Sequence, residues 1–436
     1  MKQQFFFITI VFMFFSVASL YAGGIVTNTN QSAEFIRTMN RNASTEMDAV
    51  YYNPAAVATF DDGFHAYLSN QSIFQTRTIN TEFPEYNENT FEGETTAPVF
   101  PNVYLAYNMG NLAFSVGVTP IGGGGSAEFP KGLPSFDFQL ASLVGLPAGL
   151  INQSLASFGK ITGYSMDASF TGSSIYIGGQ SGASYQLSPM ISLGAGFRLV
   201  SAKNTYKGHL KNVILNAENG DITGVIPDIN VDAERTGMGY TGIISLAVAP
   251  SNSFNLGLRY ETKTSLELET NTKVDETEIL GDPMFPDGEK VPADMPAMIA
   301  VGASYDLLQS LRLEASFTYY LNSGVDWEGN REELVDNSNE IGFAVEYSLS
   351  PKIDISLGGL MSTMGANPEY QTDMSYSLDS QSLGLGARYH LSNDLSASLG
   401  FSSTFYEPAK NSKTGVFSEE YDKTSIVYAV GLQYGL

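Results

Sequence analysis

The sequence predicts an all-β protein, a fourteen-stranded antiparallel transmembrane β-barrel with an N-terminal hatch, or plug, inside its lumen. Three observations predict it. Apolar and polar residues alternate with a period of two in many segments, short turns alternate with long polar segments, and the chain ends within an apolar strand. An even barrel with both ends on the short-turn side is typical of a bacterial outer membrane.

The first residues are typical of a secretory signal peptide. Lys2 gives a positive start, an apolar stretch runs from Phe5 to Leu20, and Ala22 is followed by two glycines. The apolar stretch is short for an anchor helix, and polar residues follow it at once. We therefore expect residues 1–22 to be removed, residues 23–62 to form the hatch and residues 63–436 to form the barrel.

Composition and charge exclude several classes of protein. Apolar residues make up 43% of the chain and charged residues 16%, which argues against disorder. The 46 acidic and 22 basic residues give a net charge of −24, which would repel nucleic acid. No later apolar run reaches the length of about 18 residues that a spanning helix needs. The chain has no Cys, and therefore no disulfide framework or thiolate metal site.

Strand-like alternation is clearest in residues 311–321. There Leu313 and Phe317 lie on one face, and Arg312 and Glu314 lie on the other. The pattern recurs in residues 254–261, 395–405 and 425–436. A soluble β-sandwich could alternate in the same way. The lengths of the segments favour a membrane barrel, whose strands need about 9 to 11 residues. A closed barrel is also the form of sheet that leaves no unpaired edge in hydrocarbon.

Turn length alternates along the chain. The short connections are at residues 108–111, 188–189, 249–253, 306–310, 348–352 and 391–394. The long polar ones are at residues 80–98, 120–171, 204–236, 270–295, 322–339, 365–380 and 407–423. These connections join fourteen strands, and the long ones are expected outside the cell.

The segment between the cleavage point and the first strand has no period-two pattern. It carries Phe35 and Tyr51, which make it too apolar for a disordered tail, and the turn Asn53, Pro54, Ala55. A barrel this wide leaves a lumen that must be closed, and we expect this segment to close it. The lumen residues expected to hydrogen-bond to it are those nearest the short turns, Arg312, Glu346, Asp354 and Arg388.

Several stretches resemble the FadL family of outer-membrane transporters. Similar to the hatch of that family are the opening GGIVTNTNQSAEF and then ASTEMDAVYYNPAAVATF from Ala43 to Phe60. Similar to its strands, in the same order, are SLGAGFRLVSAKNTY, SFNLGLRYETKTSLEL and MPAMIAVGASYDL. The resemblance implies passive uptake of long-chain fatty acids and other hydrophobic compounds. The chain departs from the family in lacking glycines at 35–42 and in ending on Leu436 rather than Phe.

Strand three leaves its regular pattern at a proline followed by glycines: Pro120, Gly122, Gly123, Gly124 and Gly125. Proline removes a ladder donor and glycine supplies no side chain, so we expect strand pairing to fail there. The resemblance implies a kink in this strand that gives ligand a sideways exit into the membrane. The same glycines could instead be the flexible start of a long loop.

Two further groups of residues are candidates for ligand contacts. The loop after strand three has apolar residues at helical spacing, which predicts two short helices that cover the barrel mouth, bind an apolar ligand, or do both. Its residues are Phe136, Leu140, Leu143, Leu155 and Phe158. Arg198 and Arg259 are candidates for a fatty-acid carboxylate, although lumen arginines readily pair with neighbouring acids.

We expect no catalytic site, metal site or cofactor. His65, His209 and His390 fall on separate segments, so neither a hydrolase nor a pair of haem ligands is indicated. The acidic loops match no EF-hand and are expected to be solvated, with bridging to lipopolysaccharide through divalent cations as an alternative. We expect a monomer that meets outer-membrane lipid and a hydrophobic small molecule. The alternatives are uptake of an aromatic hydrocarbon or porphyrin, a polar-solute porin, a structural barrel and an outer-membrane lipase.

Overall fold

The computed structural model describes residues 24–277, 283–413 and 417–435. The expected signal peptide and Leu436 therefore lie outside the described residues. Within those ranges, no helix combines the length and the apolar character that crossing a bilayer requires.

Eighteen strands of the described chain form one antiparallel sheet. The first nine are β1 Gly63–Thr81, β2 Thr90–Met109, β3 Leu112–Phe129, β4 Ile161–Ser188, β5 Ile191–Ala217, β6 Gly220–Thr223, β7 Ile229–Ser251, β8 Phe254–Glu261 and β9 Glu267–Asp275. The others are β10 Lys290–Pro292, β11 Ala297–Leu308, β12 Leu311–Leu321, β13 Ser338–Ser350, β14 Ile353–Thr363, β15 Ser380–His390, β16 Leu395–Tyr406, β17 Ala409–Lys413 and β18 Phe417–Gly435.

The sheet closes on itself. Strand β1 pairs with both β2 and β18, so that His65 lies opposite Ala106 on one side and opposite Gly435 on the other. Strands β6, β9, β10 and β17 extend the sheet at the long-loop end, and the remaining fourteen form the wall. The predicted closed, fourteen-stranded antiparallel barrel is confirmed.

The outer face of the wall carries an apolar band. On β5, Leu193, Phe197 and Leu199 are exposed, whereas the alternate residues Ser192 and Arg198 are buried in the interior. This pattern is the inverse of that in a soluble sheet, because the outer side chains face lipid. The start of β1 and the end of β18 lie at the short-turn end, which is the periplasmic end of an outer-membrane barrel.

All six predicted short turns join wall strands, but several of the long connections are shorter than expected. Strand β5 runs on to Ala217, for example, so most of the predicted loop 204–236 is strand, and His209 lies on β5 rather than in a loop. Above the apolar band the outer face turns polar, with Lys203 and Lys207 exposed. Where the wall leaves the lipid, polar residues replace apolar residues on its outer face. The sequence pattern that predicts membrane strands therefore does not extend to these parts of the strands.

The N-terminal segment, residues 24–62, contains three short helices: α1 Ala33–Thr38, α2 Ala49–Tyr52 and a 3-10 helix Pro54–Thr59. The hydroxyl of Ser32 caps α1 by accepting from the Phe35 amide at 2.9 Å. Helix α1 ends at Met39 in the left-handed conformation, φ 56°, within the stretch that lacks glycine.

This segment lies against the inner face of the wall. A Cβ added to Gly358 on β14 would lie 1.7 Å from the Thr38 carbonyl oxygen, and one added to Gly384 on β15 would lie 2.4 Å from that of Ile36. Only glycine allows the backbones to approach so closely. Wall glycines therefore make room for α1 inside the barrel.

The loop between β3 and β4, residues 130–160, is called the lid below. It contains α3 Pro134–Ala141 and the 3-10 helices Ala148–Leu150 and Gln153–Phe158. The first predicted helix is therefore confirmed, whereas the second is replaced by tighter 3-10 turns. Further 3-10 helices lie in other long connections, at Asn322–Gly324, Glu328–Leu334 and Pro368–Tyr370.

Candidate transport site

A cavity of about 320 Å³ lies inside the barrel, above the N-terminal segment. Its apolar lining includes Phe129, Phe170, Leu360 and Met374. Ligand pockets in proteins commonly have volumes from about 300 to 1,000 Å³ and combine an apolar lining with a few polar groups. The cavity is therefore large enough for a small hydrophobic molecule.

One side of the cavity borders a gap in the wall. Strand β2 pairs with β3 up to Val103 opposite Val118, and again at Thr95 opposite Ala127. Residues 96–102 of β2 and 119–126 of β3, all of them described, make no ladder pairs with each other between these points. This segment of β3 is the predicted run of Pro120 and the glycines, and its pairing with β2 fails as expected. It still pairs irregularly with β4 on its other side.

Glycine conformation accounts for the break. Gly123 and Gly125 have φ of 82° and 85°, values that residues other than glycine rarely adopt. A Cβ on Gly123 would also lie 2.2 Å from the Ser174 carbonyl oxygen of β4. A Cβ on Gly124, by contrast, would meet nothing closer than 3.9 Å, where Arg77 and Gln75 lie.

The N-terminal segment crosses the inner side of the gap. The Gly123 amide donates to the Val26 carbonyl at 2.8 Å, and the Asn28 amide donates to the Ile121 carbonyl at 3.2 Å. Below this contact the Thr119 hydroxyl bonds to the side chains of both Asn102 and Gln31. A short stretch of the N-terminal segment thus pairs with β3 where β2 does not.

The start of this segment also reaches the outer loops. The Ile25 amide donates to the Tyr370 hydroxyl at 2.9 Å, and Ile25 packs against a buried apolar cluster of loop residues, which includes Trp327 and Val335. The Trp327 indole donates to the Asp294 carbonyl at 2.8 Å. The segment therefore links the outer loops, the gap and the interior helices.

A buried set of charges, called the charge network below, holds α1 and the residues after it. Its members on the N-terminal segment are Glu34, Arg37, Arg41, Glu46 and Asp48, and its members on the wall are Glu314, Glu346 and Arg388. Arg388 donates to Glu34 at 2.7 Å and also to Glu46. Among buried ions, pairing of this kind offsets the cost of removing charge from water.

The expectation for the lumen residues near the short turns is thus partly met. Glu346 and Arg388 contact the N-terminal segment. Arg312 instead pairs with Asp306 at 2.7 Å, and Asp354 with His390 at 2.7 Å.

The Asn53, Pro54, Ala55 turn lies against the wall. The Asn53 side chain donates to the Ser44 carbonyl at 3.0 Å, which closes a loop within the segment. A Cβ added to Gly194 on β5 would lie 2.8 Å from the Ala55 amide nitrogen. Pro54 begins the 3-10 helix, where its fixed φ fits and its missing N–H is not needed. The turn therefore packs tightly on β5 on its way to β1.

Arg198 and Arg259 do not line the large cavity, so their predicted role in carboxylate binding is not supported. Arg198 forms a bidentate pair with Glu261, at 2.7 and 2.9 Å, and also donates to Gln180. Arg259 donates to the Tyr51 carbonyl, and both guanidinium groups lie over the Tyr51 ring. These arginines secure α2, as the alternative of pairing with neighbouring acids anticipated.

The lid packs into an apolar core that it shares with wall strands and other loops. Leu140 and Leu143 are buried in it, and Phe136, Leu155 and Phe158 are half-buried against it. None of these five occurs among the described residues that line the cavity. Their placement supports lid packing, and contact with ligand remains a prediction.

Asp137 of α3 is a buried carboxyl within the lid. It accepts from the Tyr164 hydroxyl at 2.9 Å, and its second oxygen has no partner among the described residues. Burial raises its pKa to about 6. The lid also contacts a neighbouring loop, because the Ser135 amide donates to Asp373 at 2.9 Å.

Comparisons with known proteins agree with this architecture. No protein-family model matches the sequence, and no curated protein matches it. The chain is similar in structure to a FadL homologue from Pseudomonas aeruginosa, at 15% identity and a TM-score of 0.67, with 94% of this chain and 99% of that one covered. It is also similar to the toluene transporters TodX of Pseudomonas putida (13% identity, TM-score 0.61, coverage 95% and 100%) and TbuX of Ralstonia pickettii (15%, 0.54, 89% and 94%). The chain therefore has the FadL-type fold of an outer-membrane barrel.

Proposed function

We propose that the chain is an outer-membrane channel for passive uptake of hydrophobic small molecules, such as long-chain fatty acids. Molecules enter beneath the lid, occupy the lumen cavity and leave sideways through the gap between β2 and β3. The N-terminal segment acts as the hatch and blocks the direct path to the periplasm.

The observation that carries this proposal is the gap itself. It lies next to the cavity, and outer residues beside it, Val99, Val103 and Val118, are exposed on the lipid side of the wall. A hydrophobic molecule gains free energy by passing from the cavity into lipid rather than into water. A structural barrel has no need of such a break, and a polar solute would gain nothing from it.

The hatch is supported by two sets of contacts. The charge network fixes α1 and the residues after it on β12, β13 and β15, and Arg198 and Arg259 fix α2 from the other side. A segment held from opposite sides fills the lumen and leaves no open pore for ions. This separates the proposal from a polar-solute porin, which conducts steadily.

The test is to block the gap with the substitution Gly124→Val. Gly124 suits it because its Cβ direction is open, whereas a side chain at Gly123 would clash with β4. Gly179→Val is the matched control, because Gly179 has no neighbour within 4 Å of an added Cβ and lies outside the gap. Uptake of radiolabelled toluene and dodecanoate is measured in a host strain that lacks its own channel.

We expect Gly124→Val to lower uptake of both probes while folding, judged by heat-modifiable migration, stays normal. Gly179→Val should take up both probes at the parent's rate. Parental uptake by a folded Gly124→Val variant would reject exit through this gap.

A further inference from the structure

A serine, a histidine and an aspartate meet on the outer face of the wall, near its long-loop end. Ser169 of β4 lies opposite His209 of β5 in the register of the two strands. The Ser169 Oγ is 3.0 Å from the His209 Nδ1, and the Asp167 Oδ1 is 3.3 Å from the Nε2 of the same ring. A nucleophile within hydrogen-bond reach of a base, and a third group that orients the base, are the signature of nucleophilic catalysis.

The spacing of these residues in the sequence hides the group. His209 comes 40 residues after Ser169 and falls in the predicted loop 204–236. The three histidines also lie on separate strands, which is why the sequence indicates no hydrolase. Because β4 and β5 extend together past the apolar band, their pairing brings His209 to Ser169 and Asp167 instead of to another histidine.

The group faces the outside of the barrel. Phe170, which follows Ser169, lines the lumen cavity, so that Ser169 points the opposite way. The Asp167 and His209 side chains are 61% and 30% exposed, and Ser169 is half-buried. Water and an extracellular substrate can therefore reach all three side chains.

A groove with a volume of about 300 Å³ lies beside the pair. Ser169 and His209 both line it, and Val231 and Val274 contribute apolar surface to it. This volume is at the lower end of the range for ligand pockets in proteins, so the groove suits a small molecule with a short apolar part.

Two hydrogen-bond donors line the same groove. Thr171 and Lys207 lie opposite each other on the next outward rung of β4 and β5. The Lys207 ammonium is exposed and lies 3.5 Å from Asp232. Hydroxyl and ammonium donors placed in this way can stabilise the negative charge that develops on a carbonyl oxygen under attack.

From this arrangement we propose that the chain also hydrolyses short-chain carboxylic esters at its outer surface. Ser169 is the nucleophile and His209 the base, and Asp167 is a positioning residue that acts through His209. With the ring proton on Nε2, where Asp167 accepts it, Nδ1 accepts the proton of the Ser169 hydroxyl. This activity goes beyond uptake and does not depend on it.

The reaction consumes only the ester and water. The Ser169 Oγ attacks the carbonyl carbon while His209 takes the hydroxyl proton, and His209 gives that proton to the leaving alcohol as the ester C–O bond breaks. Water then attacks the acyl group on Ser169 and loses a proton to His209. The proton returns to Oγ as the carboxylic acid leaves.

The test uses the full chain in lipid nanodiscs, with p-nitrophenyl butyrate as substrate and empty nanodiscs as background. A fluorophosphonate, which bonds to an activated serine and releases fluoride, serves as a second probe, and mass spectrometry identifies the labelled residue. Ser169→Ala, His209→Gln, Asp167→Asn and Asp167→Glu are the variants. Ser173→Ala is the matched control, because Ser173 is on the same strand and its hydroxyl bonds to Thr205 at 2.5 Å. His390→Gln is the second control, because His390 pairs with Asp354 on other strands.

We expect hydrolysis by the parent and labelling at Ser169. Ser169→Ala and His209→Gln should each lower kcat at least about 100-fold, since general acid–base catalysis contributes about that much or more. Asp167→Asn should lower kcat about fivefold at unchanged KM, because an exposed charge contributes less than a factor of ten, and Asp167→Glu should restore it. Both controls should match the parent.

A parent that neither hydrolyses the ester nor is labelled at Ser169 would overturn the proposal. Hydrolysis that survives in folded Ser169→Ala would overturn it as well, because an exposed imidazole would then act without the serine. Equal activity of His209→Gln and the parent would remove the base from the mechanism. An unchanged kcat in Asp167→Asn would reject the positioning role of Asp167.

Discussion

Arg388→Met should unseat the hatch. Arg388 is buried on β15 and donates to two carboxylates of the N-terminal segment, Glu34 and Glu46. Removing one partner from a buried ion pair costs about 3–5 kcal/mol, because the remaining charge stays buried without compensation. Since about 1.4 kcal/mol corresponds to a factor of ten, the unseated population should rise by a factor of roughly one hundred to a few thousand.

Planar-bilayer recording measures this population as the fraction of time for which a single protein conducts. Deletion of Gly24–Ala49 removes most of the hatch and gives the level of a fully open lumen. Lys203→Met is the matched control, because Lys203 forms an exposed pair with Glu234 at 2.8 Å, and such pairs contribute only about 0–1 kcal/mol. If Arg388→Met inserts, folds and stays as silent as the control, the charge network does not hold the hatch.

Two other predictions concern the lid. Burial raises the pKa of Asp137 to about 6, from about 3.9 when unfolded. The protonated carboxyl therefore stabilises the closed lid fully below about pH 4, and this stabilisation is lost as pH rises through 6. Limited proteolysis of the lid should accelerate over that window in the parent but not in Asp137→Asn, and identical pH profiles would contradict this reasoning. Replacing Phe136, Leu140 and Leu143 together by Ser should open the lid core and weaken uptake at limiting substrate, with barrel assembly intact; unchanged uptake would leave these residues a packing role alone.

The fold was predictable from the sequence because lipid imposes a regular pattern. The short turns and the outward apolar residues of strands such as β12 identify the number and direction of the strands. The strand extensions could not be seen in the same way, because outside the lipid the polar residues move to the outer face. Lys207 and His209 of β5, for example, fall in the predicted loop 204–236 but lie on the strand.

The site was predictable only where backbone chemistry determines it. Pro120 and the glycines after it predicted the broken pairing of β3, which depends on local conformation. The contacts of Arg198 depend instead on a distant partner, because Arg198 pairs with Glu261, 63 residues later. A strand pattern shows which way such a side chain points but not what it faces.

The charge network also constrains the order of assembly. Its partners are far apart in sequence, since Arg388 lies 354 residues after Glu34 and 342 after Glu46. The N-terminal segment can therefore complete these contacts only after the strands that carry Glu314, Glu346 and Arg388 have formed. Loops this long close slowly, because chain entropy is lost before the contacts form. The N-terminal segment therefore reaches its final position late in barrel assembly, although it precedes the barrel strands in the sequence.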